Sequence, residues 1–410
     1  MKDKKGNFLI PRPDYQRKIE KFIGTPIIKA VTGLRRVGKS SLLRLIADGL
    51  VSQGVNSNRI LFINMESLEN EPFRSIKNLD TAVKEAQLKA GAKIFLFIDE
   101  VQEIDRWEKG VNSFLADDDA DIFISGSNSS LLSGELSSLL SGRYVEFPVL
   151  PLTFSEYVSF RNKYGDDNKT LFFDFIRFGG MPGIHHLDFS EEAVHQYLAA
   201  LIDSVILKDV VIRNNVRDVS LLERVIRYIA DNSGNIFSAR SVADYFKKER
   251  RSLGIETVYN YITYLETAFI INRVSRYDLK GKKQLETLEK YYMTDIGLRH
   301  ALVGYREHDI NLFLENIVYL ELRKRGYMVE IGKLDELEID FIASKENTRI
   351  YIQVAYLLSD DRTRDREFKP LRLVQDNFPK YVITMDELPA SNTEGIIRMN
   401  ILDFLASDEF

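Results

Sequence analysis

Gly33-Leu34-Arg35-Arg36-Val37-Gly38-Lys39-Ser40 is the stretch whose reading decides the fold, because it satisfies G-x-x-x-x-G-K-[ST] at every fixed position. The chemistry of such a loop needs each residue type. Glycines 33 and 38 let the backbone curl so that successive N–H groups, across Leu34 to Val37, converge on an anion. Lys39 offers a compact positive charge to β- and γ-phosphates, and Ser40 an oxygen to Mg²⁺. The following residues, from Ser41 to Leu50, read as a helix whose N-terminal dipole points at the same anion. At ordinary composition the pattern arises by chance in about one chain in a hundred of this length. Its place between a strand and an amphipathic helix makes a fortuitous match rarer still.

Working outward, short apolar runs alternate with helical stretches: 26–31 (PIIKAV), 59–64 (RILFIN), 93–100 (KIFLFIDE), 121–125 (DIFIS) and 144–150 (YVEFPVL). That is the pattern of a parallel sheet covered by helices on both faces. The third run ends in Asp99 and Glu100. Asp99 is expected to hold Mg²⁺ through water, and Glu100 to orient and deprotonate an attacking water. One strand lies between the loop strand and this one, which suits NTPases with an added strand and a catalytic glutamate. No N-K-x-D guanine-reading motif follows, so adenine is favoured. The fourth run leads into Ser125-Gly126-Ser127-Asn128, where a polar residue can sense the γ-phosphate. Ser127 is the first choice, Ser125 and Asn128 stand close behind, and a turn rich in Ser and Asn is an equal reading of each. Arg143, just ahead of the fifth run, is expected near the same edge and reads either as an arginine finger for a neighbouring subunit or as a plain surface arginine. Tyr15, in the segment 11–15, is a candidate to stack on the adenine base.

At this point residues 10–180 resemble an AAA+-type ATPase family of bacteria and archaea that carries a C-terminal domain of uncharacterised function. The resemblance rests on T-G-L-R-R-V-G-K-S at 32–40, L-F-I-D-E-V-Q at 96–102, S-G-S-N at 125–128, L-S-G-R at 140–143, L-P-L-T-F-S-E-Y at 150–157 and F-G-G-M-P-G at 178–183. It extends to the C-terminus, and it implies an ATP-binding, Mg²⁺-dependent ATPase. It implies much less about purpose.

Composition bounds the rest. A chain of 410 residues asks for two to four domains. With 44% hydrophobic and 29% charged residues, a disordered or collagen-like chain is excluded. Fifty-six Lys and Arg against 61 Asp and Glu leave a net charge of −5, so any contact with nucleic acid must be local. The absence of cysteine removes disulfides, thiolate-bound metals and thiol catalysis. No signal-peptide or membrane-spanning pattern is present, and the expectation is a soluble cytoplasmic protein. The five histidines form no H-E-x-x-H motif.

Four parts are expected: an ATPase core over 1–150, a helical lid over 151–215, a winged helix-turn-helix over 216–300 and an α/β unit over 301–410. The winged helix is read from three helices followed by a hairpin whose turn is 278–283. Its third helix, 254–267, carries Glu256 and Glu266 and no Lys or Arg, leaving Asn260 as the one base-reading side chain. Lys247, Lys248, Arg250 and Arg251 lie before it, and Lys280, Lys282 and Lys283 in the wing. Phosphate contact and simple packing both fit that distribution. In the last part, Glu315, Asp340 and Gln353 resemble the PD-(D/E)XK nuclease core, but Ala355 stands where that core has lysine. The expectation is a restriction-endonuclease-like fold that no longer cuts. The function expected is a nucleotide-driven switch associated with DNA. The alternative is a slow-turnover scaffold or sensor acting through a protein partner. An arginine finger would require a homo-oligomer.

Overall fold

The computed structural model describes residues 9–129, 140, 142–161, 165, 167–187, 189–248 and 253–407. Ser141 and the end of the expected basic loop, Arg250 and Arg251, lie outside the described residues. The chain divides into two compact units, 1–149 with 267–269, and 150–410 without them.

The first unit is built on five strands: β1 (Ile28–Thr32), β2 (Ile60–Asn64), β3 (Ile94–Asp99), β4 (Ala120–Gly126) and β5 (Tyr144–Pro148). Their order is β2-β3-β4-β1-β5 and every pairing is parallel. All residues of β1, β3 and β4 are buried, which is why these strands read as apolar runs rather than alternating ones. The helices Lys39–Ser52, Ile76–Ala90 and Trp107–Ala116 make the crossovers. Trp107, Val111 and Phe114 of the last pack with Leu96, Ile98 and Ile122 in one core. The expected parallel α/β core is therefore the one observed. Its register pairs Thr32 with Gly126 and Asn64 with Asp99, so the carboxyl ends of the strands gather along one edge. That edge is where open α/β sheets place their ligands.

The second unit opens with the helices Phe154–Arg161, Asn168–Phe178 and Glu191–Val205, the last continuing as a π-helical turn, Ile206–Ile212. Three helices follow, Val219–Asp231, Ala239–Lys248 and Ile255–Thr267, with the two-residue strand β6 (Ile236–Phe237) between the first two. Next come the hairpin β7 (Ile271–Asp278) and β8 (Lys283–Met293), and the helices Ile296–Val303 and Ile310–Lys324. The chain then forms β9 (Met328–Leu334), β10 (Leu337–Lys345), β11 (Thr348–Val354), the helix Asp361–Arg372, β12 (Lys380–Thr384), β13 (Ser391–Thr393), β14 (Ile396–Asn400) and the helix Ile401–Ala406. The strands of this unit form one sheet, in the order β13-β14-β12-β11-β10-β9-β7-β8-β6. The hairpin was expected to belong to one part, 216–300, and β9 to another, 301–410. Instead β7 pairs in parallel with β9, from Arg276 opposite Ile331 to Asp278 opposite Lys333. A strand edge left open exposes a row of unpaired N–H and C=O groups, and β9 satisfies them on β7.

The Gly-Gly pair at 179–180 is explained by packing within this unit. Asp295 caps the helix Ile296–Val303 through the N–H of Leu298 at 3.0 Å and also accepts the N–H of Gly180 at 2.7 Å. A Cβ on Gly179 would stand 2.5 Å from both Asp295 Oδ1 and Gly297 N, and one on Gly180 2.2 Å from Leu152 O.

Candidate active site

The loop after β1 carries the phosphate-binding motif. Gly33 has φ +141°, and a Cβ there would lie 2.3 Å from the carbonyl oxygen of Val149, so only glycine fits. Gly38 has φ +98° and immediately precedes the helix Lys39–Ser52, which has no side-chain cap at its N-terminus. The first-turn N–H groups of that helix are thus left for an anion. Arg36 also takes a left-handed backbone, φ +70°. Leu34 and Val37 are fully buried and anchor the loop in the core. Arg35 approaches Glu66 at 3.6 Å, while Ser40 and Ser41 are exposed at the start of the helix. The Lys39 side chain is buried, and its ammonium donates to the carbonyls of Gly33 and Leu34 at 3.0 Å each.

The two acids at the end of β3 sit beside it. Lys39 Nζ is 3.8 Å from Glu100 Oε1. Asp99 is wholly buried; burial pushes its carboxyl above the usual range, and the neighbouring hydroxyls of Ser125 and Ser40 pull it back. Ser125 Oγ donates to Asp99 Oδ1 and accepts the N–H of Glu100 at 3.0 Å, so one hydroxyl ties both acids. Glu100 itself has a left-handed backbone, φ +57°, and its Oε2 accepts a hydrogen bond from Gln102 Nε2. Buried Asp99 Oδ2 has no partner of hydrogen-bond geometry. An uncommitted carboxylate oxygen next to a serine hydroxyl is a set of hard donors that fits Mg²⁺.

The remaining expected residues divide. Ser127 is fully buried at the same edge and its Oγ has no hydrogen-bond partner, whereas Ser125 is taken up by the acids. Tyr15 is buried, with the Arg12 guanidinium 4.5 Å from its ring centre, so stacking on a base would require Arg12 to leave that face. Arg143 requires a correction. It was expected near the γ-phosphate edge. Its carbonyl accepts the N–H of Ile28 at 2.9 Å, which puts it beside the start of β1. The loop leaves the other end, after Thr32, about 13 Å away at ordinary strand rise. Within its own chain Arg143 is remote from the phosphate loop.

Two residues were missed from the sequence. Gln102 contacts Glu100, and Arg12 is buried with its guanidinium 3.3 Å from the carbonyl of Val37 in the loop. Gln102 stands in the D-E-V-Q run, but periodicity gives no sign that a side chain two residues on turns back to the acid.

In the second unit, Glu315 and Asp340 line one cavity of about 430 Å³ together with Glu367. Gln353 joins them, accepting the Asp340 N–H at 2.8 Å and donating to Glu367 at 3.1 Å. Two cations stand at this cluster: Lys290, from β8, whose ammonium lies 2.8 Å from Glu315 and 2.7 Å from Glu338, and Arg366, 2.7 Å from Glu367. Burial alone would lower the pKa of Lys290, but the acids outweigh it and raise it; burial and then Glu315 push Asp340 well above its usual value. Among the described residues no group of three or more His, Cys, Asp or Glu side chains could hold a metal ion.

Residues 25–158 match the family model described as an AAA domain, and residues 169–309 match a domain of unknown function. An uncharacterised protein of Haemophilus influenzae is 35% identical over 399 residues, covering 97% of this chain and 98% of that protein. The chain belongs to its family. A second uncharacterised protein, from Methanocaldococcus jannaschii, is 29% identical over 402 residues, covering 92% of this AAA-domain chain and 85% of that one. A Walker-type ATPase of Pyrococcus abyssi superposes with a TM-score of 0.53 at 15% identity, covering 73% of this chain and 97% of that one, which shows a shared fold. The first unit of the AAA-domain protein is thus an AAA-type P-loop fold. Among the described residues no helix is long and apolar enough to cross a membrane.

Proposed function

We propose that this AAA-domain protein binds ATP and hydrolyses it with Mg²⁺, acting as a nucleotide-driven switch. The observation that carries the reading is the meeting of Lys39 and Glu100, 3.8 Å apart, beside Asp99 at one strand edge. Backbone N–H groups of 33–38 and the uncapped helix start receive the β- and γ-phosphates, and Lys39 turns from the loop carbonyls to them. Ser40 and Asp99 would hold Mg²⁺, which supplies charge neutralisation on the phosphate oxygens. Glu100, aimed by Gln102 and by the Ser125 hydroxyl, takes the proton of the attacking water as the oxygen–phosphorus bond forms and ADP departs. Ser127, buried with an unpaired hydroxyl, is suited to sense the γ-phosphate.

The test is nucleotide binding and steady-state hydrolysis by two variants. Lys39→Ala should lose ATP binding. Glu100→Gln should keep binding while hydrolysis falls by about 10² to 10⁴. Hydrolysis at the wild-type rate by Glu100→Gln would remove Glu100 as the base.

Residues 216–300 are read as a winged helix-turn-helix associated with DNA, and 301–410 as a nuclease-like unit that does not cut. The Lys290 ammonium among Glu315 and Glu338 supports the second point, because a fixed lysine already neutralises those acids. Arg143, exposed at the start of β5, is open to act in a neighbouring subunit. The chain holds no cysteine, which suits the cytoplasm. The alternative is a slow-turnover scaffold working through a protein partner; hydrolysis that is unaffected by DNA would favour it.

A further inference from the structure

The third helix of the expected winged helix-turn-helix offers a duplex no cation. The exposed residues of the third helix, among them Ile255, Glu256, Tyr259 and Asn260, include no cation. Its Glu266 is held by Arg273, at 2.9 Å and 2.5 Å. The hairpin is no free wing: β7 is bounded by β9 and β8 by β6, and Lys280 of its turn is paired with Asp335 at 2.5 Å.

Cationic groups gather instead in a groove of about 870 Å³. It lies between the helices Val219–Asp231 and Ala239–Lys248 and the end of the helix Ile296–Val303. Arg224, Arg227 and Arg306 line it, with Asp231 as the one acid in the lining. Two of the arginines are held in place by main chain: Arg227 donates to the carbonyl of Leu302, and Arg306 to that of Val303 at 3.3 Å and to Asp231 at 2.7 Å. A guanidinium has five N–H donors, so each keeps donors beyond these bonds. Tyr228 and Tyr245 complete the lining, with ring centres 4.8 Å apart and planes tilted by 49°. Tyr245 is 44% exposed.

We propose that this groove binds single-stranded nucleic acid. Pre-positioned guanidinium groups suit phosphate oxygens. The exposed ring of Tyr245 and the half-buried one of Tyr228 beside them suit unstacked bases, which a single strand offers and a duplex hides. The volume accepts one or two nucleotides. The inference deepens the nucleic-acid association proposed above and is independent of the hydrolytic chemistry of the first unit.

Fluorescence anisotropy with a labelled dT20 strand and the full chain tests it, alongside a labelled duplex of the same length. Wild type should bind dT20 more tightly than duplex. With three phosphates neutralised, a fourfold rise in salt from 50 to 200 mM should weaken binding roughly 20-fold. Tyr245→Ala should weaken it about 5- to 100-fold, Tyr245→Phe should restore it, and Arg224→Glu should weaken it and flatten the salt dependence. Unchanged ATP hydrolysis and thermal unfolding in each variant separate these effects from misfolding and from failure of the ATPase reading. Equal affinity for duplex and dT20, variants that bind as wild type does, or no dT20 binding at 50 mM salt would each overturn the proposal. The last result would leave a protein as the occupant.

Discussion

Lys29 is the second residue of β1, the strand that delivers the phosphate loop, and its ammonium is paired with Asp121 of neighbouring β4. Side-chain exposure is 0% for the lysine and 3% for the aspartate. The pair is closed off further by the N–H of Gly24, 2.7 Å from Asp121 Oδ2, and by the Phe123 ring 4.5 Å from the ammonium. Lys29→Met is close in volume but strands a carboxylate in the sheet with one N–H partner. Breaking such a pair costs about 3–5 kcal/mol. Lys29→Met with Asp121→Leu removes both charges, leaving the loss of the Gly24 bond at about 1 kcal/mol. The double variant should therefore be more stable than the single one by about 2–4 kcal/mol. The assay is urea unfolding followed by tryptophan fluorescence. The chain has one tryptophan, and Trp107 is buried in the core of the same unit, so the signal reports this unit. A single variant that loses less than about 1 kcal/mol would refute the argument, as would a double variant no better than the single.

Two further outcomes follow from the geometry. Gly33→Ala forces a Cβ to within 2.3 Å of Val149 O at φ +141°, whereas Gly49, in the following helix, has nothing within 4 Å. Gly33→Ala should weaken ATP binding about 5- to 150-fold, from strain of roughly 1–3 kcal/mol, while Gly49→Ala stabilises slightly; a fluorescent-nucleotide titration compares them. Asp295 is raised from 3.8 to about 6, by burial opposed by the N–H groups of Gly180, Leu298 and Gly297. Because the folded state favours the protonated acid, its contribution is full below pH 4 and is lost as pH rises through 6, about 3 kcal/mol in all. Hydrogen exchange of 296–303 should show that fall in wild type and not in Asp295→Asn; parallel profiles would contradict it.

How much was legible in the sequence depended on whether an element announced itself locally. The strands β1 to β5 were found within a residue or two of their bounds because each is a short, mostly apolar run, and β1, β3 and β4 are buried along their whole length. The phosphate loop was legible because its glycines answer to backbone geometry, which a one-dimensional pattern records. The helix Ile296–Val303 was not seen: Ile296 to His300 are all buried, so no polar face marks its period. The pairing of β7 with β9 left no trace either, since it joins residues more than 50 apart, Arg276 with Ile331. Nothing near Ala355 pointed to Lys290 as a cation of the second acidic cluster, because that lysine comes from a different hairpin. Arg143 was misplaced for a related reason: order along the chain says which strand a residue starts, not which end of the sheet that start occupies.

The parallel seam between β7 and β9 also constrains how the chain can come off the ribosome. Once the helices and hairpin of 219–293 have emerged, β7 has a partner in β8, but its other edge stays bare until residues 331–333 are made. Until then the nascent chain presents a strand edge that any passing extended segment could extend, so a fragment ending near 300 should be aggregation-prone rather than an independent folding piece.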